Sequence, residues 1–169
     1  MLSYYKHENN RMEEVMSIDE ATVIRAISPT PAEIELMHRV TGAPEEFLSA
    51  AVDRDERPRV EKEDMHRLAV VRIPQYHHDS DTPFSTIALA MIMSPEYLIS
   101  VCSEPSQTWE DLLASKAKMP SPRNHFMFAM AFFMQVARQY LQFIAQIRER
   151  STKVEDSLRF SMRNEMLIS

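Results

Sequence analysis

Asp53, Asp55 and Glu56 place three carboxylates within four residues, interleaved with Arg54, Arg57 and Arg59. Acidic side chains at that density offer the anionic oxygens that hard divalent cations favour. They would also serve a small hydrolase, provided a deep pocket raised the pKa of at least one of them. The arginines support a plainer reading, a solvated loop in which neighbouring charges neutralise one another and each pair contributes little. His77, His78, Asp79 and Asp81 form a second cluster, with the ligand types of a softer metal. Adjacent residues on a strand point to opposite faces, so the two imidazoles chelate poorly together and a solvated hairpin tip is expected.

Met127, Met130 and Met134 stand beside Phe128, Phe132 and Phe133, which would suit an adaptable docking groove. The same residues at helical spacing equally describe core or an interface between copies. Cys102 falls in an apolar, strand-like run and reads as a small buried residue, because a nucleophile needs a neighbour that stabilises the thiolate. Arg148, Glu149 and Arg150 read as a solvated helix face.

Totals narrow the classes further. With 169 residues the chain is one domain by length, and 44% hydrophobic with 26% charged residues is ordinary for a folded protein. A net charge of -6 argues against nucleic acid as a partner, since such binders carry a basic face. Gly42 is the single glycine, so neither of the glycine-rich phosphate loops can be written. One cysteine excludes a disulfide framework within the chain and points to a reducing setting. No basic leader with a cleavage site opens the sequence, so no signal peptide is expected. The longest apolar run, Phe126 to Met134, falls short of the roughly 20 residues that cross a bilayer.

These side chains must be positioned by regular elements, and the pattern of the chain supplies them. Leu2 to Lys6 and Met12 to Met16 alternate as short strands about a turn at Asn9 and Asn10. Thr22 to Ile27 is a third. Thr30, Pro31 and Glu33 form a capping box with proline in the first turn, and Gly42 supplies the left-handed stop. Pro44 restarts a helix through Phe47, Leu48 and Val52. From Pro58 to Cys102 four closely spaced strands follow, which must pair antiparallel because parallel crossovers need a dozen or more residues. Thr108 is the expected cap of a short helix and Ser121 with Pro122 that of a long one, whose apolar stripe runs from Phe126 to Ile147. Thr152 to Glu155 reads as a further capping box, with Val154, Leu158, Met162 and Met166 behind it. The apolar, uncapped ending suggests that the native chain continues. Strands first and helices afterwards indicate an α+β or α/β/α layered domain.

The segment from Phe47 through Asp53 to Glu61 resembles the soluble-domain signature of CorA-type divalent-cation transporters. Ile27 to Thr30, Thr41 to Leu48, Val70 to Pro74, Tyr97 to Cys102 and Ser161 to Glu165 also fit, so the resemblance covers nearly the whole chain. It implies a mixed, largely antiparallel sheet of about seven strands between helices, with a C-terminal pair of long antiparallel helices. Residues 1–120 would form the α/β domain, and residues 121–169 a helical hairpin leading to a truncated stalk within the same unit. It further implies no enzymatic activity, a homopentamer, and attachment to the membrane through transmembrane helices outside these residues. The domain would lie on the cytoplasmic face as scaffold and gate. Mg²⁺ or another divalent ion, Zn²⁺ in one branch, would be cargo or regulator, with no cofactor bound by necessity. Family members that sense divalent ions place carboxylates between neighbouring protomers, at positions that correspond here to Ser49, Ala50 and Met134. None of these offers an anionic oxygen, which leaves Asp53, Asp55 and Glu56 as candidate ligands. A stand-alone interaction module docking a partner on the methionine-rich helix is the reading from another class.

Overall fold

The computed structural model describes residues 1–115, 120, 121 and 123–168. Asn9 and Asn10 adopt φ of 51° and 61°, and this left-handed pair closes the hairpin of β1 (Leu2–Glu8) and β2 (Arg11–Val15). Asparagine tolerates that region, and the turn's twist matches that of the strands it joins. After one 3-10 turn at Ile18–Glu20, β3 (Val23–Ile27) pairs antiparallel with β1. Helix α1 (Pro31–Thr41) begins at the expected capping box. Thr30 Oγ1 accepts from Glu33 N at 3.3 Å, and Glu33 Oε2 accepts from Thr30 N at 2.9 Å. It ends at Gly42, whose φ of 71° is left-handed and least strained without a β-carbon. Helix α2 (Glu45–Ser49) is short and buries Phe47 and Leu48.

The meander follows as β4 (Arg59–Glu63), β5 (His66–Tyr76), β6 (Phe84–Met93) and β7 (Leu98–Cys102). The sheet order is β2-β1-β3-β7-β6-β5-β4. Its parallel pair joins β3 to β7, and the long crossover between them carries α1, α2 and the other meander strands. Pro74 sits in β5 beyond the reach of β4, whose pairing runs from Val70 to His66, so its missing N–H breaks no ladder on that side.

Strand alternation divides the buried side chains between two faces. Ile24, Ala26, Leu68, Val70, Ala88, Ile92, Ile99 and Val101 pack under Met37, Phe47 and Leu48. Val23, Ile73, Ile87, Leu89, Met91, Leu98 and Cys102 pack on the other side under Trp109, Leu112, Phe128, Phe132 and Val136. Those five come from α3 (Gln107–Ala114) and α4 (His125–Ile168). The α/β/α class with a mixed, largely antiparallel sheet of seven strands is therefore the observed architecture.

The helices at the C-terminal end differ from expectation in three respects. The cap of α3 is Ser106, whose Oγ accepts from Thr108 N at 3.2 Å; Thr108 is buried, and its hydroxyl donates to Gln139 Oε1. Helix α4 starts at His125, where Asn124 Oδ1 accepts from Met127 N at 3.2 Å. Ser121 shapes the preceding turn instead, and Pro122 lies outside the described residues. Third, the helical hairpin expected over 121–169 is one helix of 44 residues, roughly 66 Å at the α-helical rise. No glycine or proline interrupts it. The hydroxyl of Thr152 donates to Arg148 O at 3.1 Å within the running helix, so the Thr152–Glu155 pattern caps nothing. Past Phe143, α4 runs over the hairpin of β5 and β6, where Arg150 meets Tyr76, and Leu141, Ile144, Ile147, Val154, Leu158 and Met162 are exposed.

Candidate functional site

The acidic segment forms the loop between α2 and β4, and its backbone is pinned by the sheet. Arg54 O accepts from Ala88 N at 2.9 Å and from Arg72 Nη1 at 2.7 Å. Arg72, on β5, also donates to Thr86 O at 2.7 Å and to the Thr86 hydroxyl. Sequence reasoning missed this arginine; its one signal is a lone charge within a β-branched strand.

Each candidate carboxylate already has an assignment in this loop. Asp53 Oδ1 accepts from Asp55 N at 2.9 Å, an Asx turn that shapes the chain locally. Asp55 is exposed and stands 3.7 Å from Arg72 Nη2. Glu56 pairs with Arg59 Nη1 at 2.5 Å, while Arg59 Nε donates to Glu61. Glu61 first, and Glu56 with it, hold the Arg59 guanidinium above its usual pKa. The structure thus brings the three acids into one loop and spreads them over different partners. Among the described residues, no three of the His, Cys, Asp and Glu side chains are grouped to hold a metal ion.

Ser49 is exposed at the end of α2 and donates its hydroxyl to Glu45 O at 2.9 Å, while Ala50 beside it is buried. Met134 is half-exposed on α4, across the sheet from α2. One copy of the chain does not bring these positions together. In the hairpin between β5 and β6, the ring of His77 faces Ser85 Oγ at 3.1 Å, and that of His78 stands edge-on to Tyr76 at 4.8 Å. The two imidazoles therefore take separate neighbours.

Cys102 is fully buried on β7 and donates to Glu104 O at 3.0 Å. Burial pushes its thiol up to about 11, with the nearby Arg25 charge acting in the opposite sense. It is protonated at neutral pH and a poor nucleophile. Arg150 is not simply solvated. It donates to Tyr76 Oη at 2.6 Å and lies 5.0 Å from the centre of the Phe84 ring. With Phe143 packed against Phe84 at 5.4 Å, this aromatic cluster fastens the middle of α4 to the hairpin. A cleft of about 600 Å³ beside it is lined by Tyr76, His78, Gln107, Glu110 and Phe143, among others. The geometry is that of a layered α/β/α body with a long projecting helix.

Comparison with known proteins agrees. The sequence profile described as "CorA-like Mg2+ transporter protein" matches residues 22–169. No curated protein sequence matches the chain at a significant level. The complete CorA magnesium transporter from Methanocaldococcus jannaschii superposes with a TM-score of 0.75 at 16% identity, over 94% of this chain and 51% of that one. The soluble domain of the same CorA gives 0.73 at 16% identity, over 94% of this chain and 64% of the other. The ZntB cytoplasmic domain from Vibrio parahaemolyticus RIMD 2210633 gives 0.61 at 13% identity, over 85% and 62%. This chain therefore spans between half and two thirds of those chains, and at such identities they share its fold. Among the described residues no helix is long and apolar enough to cross a membrane. With the profile covering most of its length, from the edge of β3 to the end of α4, the chain belongs to the CorA-like Mg²⁺ transporter family.

Proposed function

We propose that this chain is the cytoplasmic domain of a homopentameric transporter of Mg²⁺ or a related divalent cation, serving as scaffold and gate and catalysing no reaction. The family match over residues 22–169 carries the reading. The exposed apolar side chains along α4 support it, with Leu141, Leu158 and Met162 mostly open and Ile144 and Ile147 half open within one copy. The membrane-spanning part would lie outside these residues. The ion would be the transporter's cargo or its regulator.

Gating follows a different course from that of relatives with carboxylate sensors. Ser49, Ala50 and Met134 supply no anionic oxygen, and Glu56 would have to leave Arg59 before it could bind an ion. A gating ion acts only by binding one arrangement of the protomers more tightly than another. We place no such ion at those three positions. Likeness to the ZntB domain favours Zn²⁺ as the second reading of the cargo. Light scattering of the whole gene product in detergent tests the assembly: a mass of five chains is expected, and a monomer would remove the scaffold role.

A further inference from the structure

The cleft of about 600 Å³ between the β5–β6 hairpin, α3 and α4 has aromatic rings for one of its walls. Tyr76 stands 4.8 Å from the His78 ring at an interplanar angle of 88°, and 6.2 Å from Phe143 at 66°. Rings so inclined make a corner, not a stack. This aromatic group already holds one cation. The guanidinium carbon of Arg150, a residue outside the cleft lining, lies 5.6 Å from the centre of the Tyr76 ring and 5.0 Å from that of Phe84.

The remaining walls offer acceptors. Glu110 Oε1 accepts from Arg25 Nη1 at 2.8 Å, but Arg25 is buried while the carboxylate is half in solvent at the cleft. Gln75 Nε2 donates to Pro105 O at 2.8 Å, and Gln107 Nε2 donates to Asp111 Oδ1 at 2.8 Å. With an N–H engaged, each amide keeps its oxygen for an incoming donor. Among the described residues that line the cleft, none is a lysine or an arginine.

We propose that this cleft binds a short aliphatic amine in its ammonium form. The ammonium's three donors match a carboxylate and amide oxygens, its charge suits the rings, and its methylene chain packs on Phe143 and Tyr76. The volume lies in the usual range for small-molecule clefts, roughly 300–1,000 Å³. An anion would meet Glu110 with no cationic side chain lining the cleft to receive it. A metal ion would find one carboxylate, too few for a hard divalent cation. The lining comes from β5, the hairpin, the turn before α3, α3 itself and α4, so a bound amine joins the sheet to α4 where that helix begins to project. This goes beyond the transport reading and does not depend on it.

Putrescine is the probe, and butanediol of the same chain length is its uncharged control. NMR titration of the isotope-labelled 169-residue chain at about pH 8, where a free imidazole is neutral, reads the site directly. Saturable shifts at the cleft residues with putrescine, and none with the diol, are expected. Gln146→Lys, at an exposed position of α4 that lines the cleft, adds an ammonium of the protein's own and should weaken binding about tenfold or more. Glu110→Gln should do the same, and Gln146→Lys keeps the test decisive where loss of the Arg25 pair impairs folding. Amide exchange at residues 143–147 should slow on binding. A Kd weaker than about 10 mM, or equal shifts with the diol, would overturn the proposal. Unchanged affinity in Gln146→Lys would overturn it too, as adventitious surface association only.

Discussion

The thiol of Cys102 keeps its proton to about pH 11 in the folded chain, whereas its ordinary value is 9.0. Between those two pH values the unfolded chain releases a proton that the folded chain retains, so stability falls as pH rises through the window. The loss attributable to this one group is on the order of 2–3 kcal/mol. Urea unfolding at pH 8.5 and pH 11 should show a smaller decline for Cys102→Ala than for the parent, and identical declines would contradict the assignment. The capping box gives a second test. Thr30→Ala removes the side-chain acceptor for Glu33 N and should lower stability by about 1 kcal/mol; no measurable change would mean that α1 is held by packing alone. Caps of this kind were legible in the sequence because their signal is local: Thr30, Pro31, Glu33 and Gly42 lie within one helix. Arg25, Arg72 and Arg150 were not legible in their roles. Arg25 meets Glu110 on α3, Arg72 meets Thr86 on β6, and Arg150 meets Tyr76 across 74 positions of sequence. In the acidic loop, Arg59 was legible beside Glu56 because the two lie three residues apart, whereas Arg72, which faces Asp55, was not.

Helix α4 is the element on which expectation and structure parted. A Ser/Thr-x-x-Glu pattern marks a helix start only where the chain also breaks, and nothing between His125 and Ile168 breaks it. The strands were easier to place, because period-two alternation and closely spaced turns leave the meander one pairing scheme. The two halves of α4 should behave differently. Phe132 is fully buried, 5.5 Å from the Trp109 ring, and Phe132→Ala should cost about 3–5 kcal/mol in urea unfolding. A loss under about 1 kcal/mol would mean that α4 is not part of the core. Residues 151–163 are exposed, and an isolated helical end is marginal in water. Hydrogen exchange there should be much faster than at residues 128–140 in the isolated chain, and should slow in the assembled protein. Equal protection along the helix would contradict the division.

As a whole the molecule is a closed α/β/α sandwich from which one helix projects, with apolar side chains and no partner along its free length. In the proposed assembly, neighbouring copies would cover that helix. The account stands on cation transport by the protein that contains this domain. Its most direct test is Mg²⁺ entry into proteoliposomes bearing the whole gene product, followed with an internal fluorescent Mg²⁺ indicator. The account predicts entry above protein-free vesicles that scales with the amount of protein. Vesicles no more permeable to Mg²⁺, Co²⁺ or Zn²⁺ than protein-free ones would contradict it.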